Sequence, residues 1–97
     1  MKKIAIIGGG NLGTAIAEGL LKSGFAKAKD ITVTKRNTAT LKTLKEKGVQ
    51  VTADNNAAIK NNELIILAVK PFQIKEVLDG FKKDLQPARH LLVSVVT

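Results

Sequence analysis

The sequence describes one small basic domain. Its 97 residues suffice for one hydrophobic core and not for two, and 44% hydrophobic with 25% charged residues exclude a disordered or low-complexity chain. Sixteen Lys and Arg against eight Asp and Glu give a net charge of +8, which suits nucleic acid, an anionic surface or a phosphorylated ligand. The basic residues form no dense block, and three Phe without Tyr or Trp offer few platforms for bases, so nucleic acid is disfavoured as a partner.

No segment of the sequence has the pattern of a leader peptide or a membrane span. The apolar run after Lys3 ends after four residues at Gly8, and no run approaches the roughly 20 apolar residues of a membrane helix. Because cysteine is absent, disulfides and thiolate chemistry are excluded, which is compatible with a reducing compartment. We therefore expect a soluble protein with no membrane partner, and the cytoplasm as its default location.

Apolar runs and amphipathic stretches alternate along the chain, which is typical of βαβ units in a parallel sheet. The predicted strands are 3–7, 31–34, 49–52, 64–69 and 91–96. The predicted helices are 11–23, 38–47, a short one through Lys60 with Asp54 or Asn55 as its cap, and one that opens at Pro71. This order predicts an α/β fold over residues 1–97, a doubly wound parallel sheet of the Rossmann type with strand order 3-2-1-4-5.

Helical spacing of apolar residues supports these helices. In the first helix Leu12, Ile16 and Leu20 lie on one face, and Gly24 is placed as the C-terminal stop. In the second, Leu41 and Leu44 are predicted to be buried before Gly48. The last helix carries one apolar stripe, formed by Ile74, Val77, Leu78, Phe81 and Leu85.

A glycine-rich turn lies between the first strand and the first helix. It matches G-x-G-x-x-G in the context that dinucleotide binding requires, and comprises Gly8, Gly9, Gly10, Asn11, Leu12 and Gly13. Gly8 permits the tight turn, Gly10 lets the backbone approach a pyrophosphate, and Gly13 lets the helix pack closely on the strand. The free amides and the dipole at the helix start favour that anion. A Walker-type loop is excluded because its Gly-Lys-Ser/Thr ending is absent, and a turn that only connects strand and helix is the alternative.

The residues after the second strand predict which nicotinamide nucleotide is bound. A carboxylate about 20 residues past the glycines pairs with the ribose of NAD, whereas this stretch has Thr34, Lys35 and Arg36 and no acid. Thr34 offers a hydroxyl, Lys35 a point charge and Arg36 two parallel hydrogen bonds to a phosphate. Two bonds of roughly 1.5 kcal/mol each would favour NADP by on the order of a hundredfold. In the alternative, Lys35 and Arg36 are solvated surface residues.

Taken together, these segments resemble the N-terminal domain of pyrroline-5-carboxylate reductase. The resemblance runs over the whole chain and is carried by IAIIGGGNLG at 4–13, ITVTKRN at 31–37, TADN at 52–55 and LAVKP at 67–71. Taken singly, only the Ala-Val-Lys-Pro stretch is diagnostic. Members of that family reduce the imine of 1-pyrroline-5-carboxylate to L-proline by hydride transfer, usually from NADPH. The resemblance therefore implies NADP(H) as the cofactor and a role in proline biosynthesis.

The resemblance also implies which residues would bind the cofactor. Thr34 would touch the 2′-phosphate, and Asn55 would reach the adenosine side. The pyrophosphate and the nicotinamide ribose would be lined by Ala68, Val69, Lys70 and Pro71. The nicotinamide would be backed by Val95, Val96 and Thr97, where the family often has smaller residues. The alternatives are a helix cap for Asn55 and a solvated lysine for Lys70.

No catalytic residue and no metal site is predicted in this chain. His90 is the only histidine and is interpreted as a surface residue, and no Cys or His cluster is present for a transition metal. By resemblance, the full-length proteins act as homo-oligomers and take their substrate pocket from a helical C-terminal domain that this sequence lacks. We therefore expect the chain alone to bind nucleotide with little or no turnover. Strand 91–96 would be an uncovered edge, so we also expect self-association, which a monodisperse monomer in light scattering would contradict.

Three other functions stay open. The first is the cofactor domain of another NADP oxidoreductase, such as a deazaflavin-dependent NADP reductase or a member of the 6-phosphogluconate dehydrogenase group, although the stretch Val69-Lys70-Pro71 favours the proline enzyme. The second is a stand-alone NADP-sensing module that signals to a partner protein. The third is a nucleic-acid binder, for which duplex DNA would compete with NADP at moderate salt.

Overall fold

The computed structural model describes residues 3–8, 10–35, 38–68, 79 and 91–94. Its five strands are β1 (Ile4–Ile7), β2 (Ile31–Thr34), β3 (Gln50–Thr52), β4 (Leu64–Leu67) and β5 (Leu91–Ser94). They form one parallel sheet in the order β3-β2-β1-β4-β5. The predicted doubly wound order is confirmed, and within the described residues β5 lies at an edge with β4 as its neighbour.

Three α-helices and two short 3₁₀ helices connect these strands in the described part of the chain. The α-helices are α1 (Asn11–Ser23), α2 (Lys42–Glu46) and α3 (Asn55–Lys60), and the 3₁₀ helices are Ala28–Asp30 and Thr38–Leu41. The predicted helix from Pro71, with its apolar stripe, and the loop with His90 lie outside the described residues. Among the described helices, none combines the length and the apolar composition that crossing a bilayer requires.

The sheet is packed on both faces, and β1 shows this most clearly. Its four residues are all buried and alternate between two core clusters. Ile4 and Ile6 belong to the cluster formed with α1 and α2, whereas Ala5 and Ile7 belong to the cluster formed with α3. The partly buried side chains on α1 that pack against the first cluster are Leu12, Ile16, Leu20 and Leu21. The predicted face of α1 is therefore the face that contacts the core.

Several element boundaries differ from the predicted ones: β1 begins at Ile4, α2 ends at Glu46 and β4 ends at Leu67, each inside the predicted range. Two further differences have local reasons. The predicted helix 38–47 begins with a 3₁₀ turn over Thr38–Leu41 and becomes α-helical only at Lys42, because threonine is β-branched and a poor helix former. Strand β3 begins at Gln50, one residue later than predicted. The amide of Val49 donates to the carbonyl of Leu44 at 3.1 Å, so this residue satisfies the end of α2 instead of pairing in the sheet.

Candidate functional site

The carboxyl ends of the strands meet at one edge of the sheet. The register pairs Ile7 with Thr34 on one side and with Leu67 on the other, and it pairs Thr34 with Thr52. The chain leaves β1 toward β2, whereas the connection after β3 crosses to β4 on the far side of β1. A crevice at this reversal is where open α/β sheets bind ligands. The structure thus brings Gly8, the residues after β2 and Ala68 to the same edge.

The glycine turn leaves β1 through a conformation that only glycine adopts readily. Gly8 has φ +106°, and its amide donates to the carbonyl of Thr34 at 3.2 Å. Gly13 lies in the first turn of α1, where a Cβ would overlap the carbonyl oxygen of Gly8 and lie 3.4 Å from Ile6 Cγ2. These two positions therefore need glycine for the backbone path and for close packing of α1 on β1, as the motif predicts.

Gly10 differs from these two glycines because its surroundings are open. It is exposed, has φ −77°, and a Cβ built there would meet no atom of the described residues within 4 Å. Neither backbone strain nor packing in this structure accounts for a glycine at Gly10. The space in front of it is the space that a closely approaching ligand would occupy.

The start of α1 presents backbone amides without a side-chain cap. Gly10 is the N-cap residue and, as a glycine, has no side chain that could cap the helix, and the first turn contains no acidic residue. The first helical bond runs from the amide of Thr14 to the carbonyl of Gly10 at 2.9 Å, and among the described residues the amides that precede Thr14 in α1 have no backbone acceptor. The side chain of Leu12 packs against the core, so its contribution to a ligand would come from its backbone. These amides and the helix dipole favour an anion at this point.

Thr34, predicted to contact the 2′-phosphate, ends β2 and is only 1% exposed. Its hydroxyl oxygen accepts a hydrogen bond from the amide of Gly8 at 3.3 Å. The sequence alone does not reveal this bond, because nothing in the spacing of Thr34 and Gly8 indicates that they are neighbours until the sheet order is known. The bond connects the end of β2 to the glycine turn.

Lys35 follows at the same edge and is half-buried. Its amide donates to the carbonyl of Thr52 at 3.1 Å, so its backbone continues the pairing of β2 with β3. Arg36 lies outside the described residues, and its contact with a phosphate stays a prediction. In the described part of this segment no carboxylate follows β2, as the sequence indicates.

Asp54 and Asn55 have separate positions at the start of α3. Asp54 is the N-cap, and its carboxylate accepts a hydrogen bond from the amide of Ala57 at 3.2 Å. The amide of Asp54 in turn donates to the hydroxyl of Thr52 at 3.1 Å. Asn55 is the first helical residue and half-buried. The alternative in which Asn55 caps the helix is therefore wrong, and its role toward adenosine stays a prediction.

Ala68 closes the site on the side of β4. It is 8% exposed, and its amide donates to the carbonyl of Ile7 at 2.9 Å, which holds the end of β4 beside the start of the glycine turn. The side chain of Asn11 is not described. The remaining predicted site residues lie outside the described residues: Gly9, Val69, Lys70, Pro71, Val95, Val96 and Thr97.

Comparisons with known proteins agree with this geometry. The family model described as NADP oxidoreductase, coenzyme F420-dependent, matches residues 3–97. Pyrroline-5-carboxylate reductase 2 of Dictyostelium discoideum is 40% identical over 96 residues, which are 98% of this chain and 32% of that protein. The structure of a pyrroline-5-carboxylate reductase from Coxiella burnetii superposes with a TM-score of 0.88 at 36% identity, over 99% of this chain and 36% of that one.

An imine reductase from Myxococcus stipitatus, solved in complex with NADP⁺, superposes with a TM-score of 0.78 at 25% identity, over 97% of this chain and 32% of that one. The chain thus spans about a third of the length of each of these three proteins. The resemblance carried by the sequence segments is confirmed by these matches.

Proposed function

Since the chain belongs to the family of coenzyme F420-dependent NADP oxidoreductases, we propose that it is the NADP(H)-binding domain of a pyrroline-5-carboxylate reductase. The observation that carries the proposal is the uncapped start of α1 beside the open space at Gly10. A pyrophosphate there would accept hydrogen bonds from the backbone amides of α1. When bound, the reduced nicotinamide would supply a hydride, which together with a proton from solvent would reduce the imine to L-proline.

The residues of this chain bind and orient the nucleotide in this proposal. The glycine turn holds the pyrophosphate, while Lys35 and Arg36 after β2 select the 2′-phosphate. Lys35 is half-buried at the carboxyl edge, and the described residue that directly follows β2 is this lysine and not an acid that would repel a phosphate. The side of β4 would be lined by Ala68 and the three residues that follow it, and the nicotinamide by residues 95–97.

The activity of a whole enzyme is inferred from these two relatives, because the chain spans about a third of the length of each. We infer that this chain alone binds nucleotide and turns over little or no 1-pyrroline-5-carboxylate, and that the complete protein assembles as a homo-oligomer. The family description names coenzyme F420, a deazaflavin, and so favours a second candidate, hydride exchange between NADP and a deazaflavin. The 40% identity to a named pyrroline-5-carboxylate reductase favours the proline enzyme.

Thermal melts with NADP, NADPH, NAD and NADH test the nucleotide assignment. Either form of NADP at a hundred times its dissociation constant is expected to stabilise the domain by roughly 2.7 kcal/mol. For a domain of this size, that stabilisation corresponds to a rise in Tm of about 10 °C or more. NAD and NADH at the same concentrations are expected to give smaller shifts. Equal shifts with all four would contradict selection of the 2′-phosphate, and no shift with any would refute the proposed function.

Arg36→Gln separates phosphate selection from general charge. Loss of two charge-assisted hydrogen bonds is expected to lower the affinity for NADP by on the order of a hundredfold and to leave NAD unchanged. Lys22→Gln is the control, because it removes the same charge in the last turn of α1, at the opposite edge of the sheet. Titration by isothermal calorimetry measures both, and an equal loss in the two variants would mean that only net charge matters.

A further inference from the structure

One amide in the glycine turn is shared between two oxygens of the same residue. The N–H of Gly8 points to the carbonyl oxygen of Thr34 at 3.2 Å and to its hydroxyl oxygen at 3.3 Å. The carbonyl bond continues the parallel pairing of β1 with β2 and needs no particular side chain. The hydroxyl bond is specific to this residue, since valine at the same position would fill the same volume without an acceptor.

Burial limits what the Thr34 hydroxyl can contact directly. The residue is 1% exposed, among the most buried in the described chain, and it is the last residue of β2. A phosphate oxygen would reach the hydroxyl only after neighbouring atoms move. Gly8, in contrast, is half-buried and stands at the start of the glycine turn. The hydroxyl therefore contacts the glycine turn directly, whereas its burial shields it from a ligand.

The position of Gly8 matters for the start of α1. Its carbonyl oxygen lies so close to Gly13 that a Cβ there would overlap it. Gly8 is thus held by β2 through its amide and lies against α1 through its carbonyl. A shift of Gly8 would be passed to the amides at the start of α1, which are the groups available to a pyrophosphate.

We propose that Thr34 is a positioning residue that acts on the nucleotide through the amide of Gly8, so that its hydroxyl supports NADP and NAD equally. The inference rests on the proposed function, because it assumes that the glycine turn binds the pyrophosphate common to both nucleotides. Selection of the 2′-phosphate then falls to the residues that follow, Lys35 and Arg36.

Three variants of the 97-residue chain test this role. Thr34→Val removes the acceptor at constant volume, Thr34→Ser keeps the acceptor, and Thr32→Val makes the same change two residues earlier in β2, away from the glycine turn. The first readout is the amide proton shift of Gly8 in the nucleotide-free protein. The second is the pair of dissociation constants for NADP and NAD. Circular dichroism checks that each variant folds.

In Thr34→Val the Gly8 amide proton is expected to move upfield, and both dissociation constants are expected to rise by the same factor, roughly fivefold. Thr34→Ser should restore both readouts, and Thr32→Val should leave both near wild type. If Thr34→Val does not fold, Thr34→Ala compared with Thr34→Ser makes the same comparison.

Two results would overturn this role of Thr34 while the proposed function stands. An unchanged chemical shift of the Gly8 amide proton in Thr34→Val would show that the hydrogen bond to the hydroxyl is absent. A loss of affinity for NADP alone would instead indicate that Thr34 contacts the 2′-phosphate directly. A wild-type chain that binds neither nucleotide would refute the proposed function and this role together, whereas the Gly8 shift, measured without nucleotide, would still report the bond itself.

Discussion

Gly13→Ala is expected to destabilise the domain by about 2 to 3 kcal/mol and to abolish tight nucleotide binding. The added methyl would overlap the carbonyl oxygen of Gly8 and stand 3.0 Å from its carbonyl carbon. Both atoms belong to backbone, so neither yields by a rotamer change, and α1 has to move away from β1. Chemical denaturation measures the stability loss, and a fall in Tm of roughly 10 to 20 °C should accompany it.

Gly19→Ala is the matched control for this change. Gly19 lies in the same helix, is exposed, and would meet no atom within 4 Å with a Cβ. Alanine there is expected to stabilise the domain by about 1 kcal/mol, because glycine is the weaker helix former. Nucleotide affinity should be unchanged in this variant. A stability loss of similar size at both glycines would show that the contact between Gly8 and Gly13 is not what limits substitution.

Gly10→Val is expected to lower the affinity for NADP and for NAD by on the order of a thousandfold, with stability close to that of the wild type. The side chain would project into open space, and φ −77° is a conformation that valine accepts, so the fold has no reason to change. It would instead exclude a pyrophosphate from several amides, each a charge-assisted bond of roughly 1.5 kcal/mol. Gly10→Ala should give a smaller loss in the same direction.

Calorimetric titration together with denaturation separates these effects. Gly13→Ala should lose stability and affinity together, whereas Gly10→Val should lose affinity alone. Retained affinity in a folded Gly10→Val protein would contradict the placement of the pyrophosphate. It would leave the parallel sheet and its order untouched, because these depend on core residues such as Ile6 and Val33.

Most of the fold follows from patterns that the sequence displays directly. The apolar run at 4–7 predicts a strand buried on both faces, and the alternation of strands with amphipathic helices predicts the order 3-2-1-4-5, which the structure confirms. Gly24 ends α1 as predicted, in a left-handed conformation with φ 76°. These features were predictable because each depends on hydrophobic spacing or on a single glycine.

The parts that sequence analysis did not predict depend on neighbours distant in the chain or on small competing preferences. The bond from Gly8 to Thr34 joins residues 26 positions apart, and it can be inferred only once β1 and β2 are known to pair in register. The cap of α3 is Asp54 and not its neighbour Asn55, and the sequence could not decide between them because both side chains are suitable acceptors. Residues of the site such as Arg36 remain sequence predictions.

The central position of β1 affects how much conformational entropy the domain loses when it binds a ligand. Because this strand has a partner on each side and a packed cluster on each face, its amides should exchange with solvent only in global unfolding events. Gly8 directly follows this strand and is hydrogen-bonded to the end of β2, so the start of the turn is preorganised. A nucleotide would then lose little affinity to the conformational entropy of ordering this support.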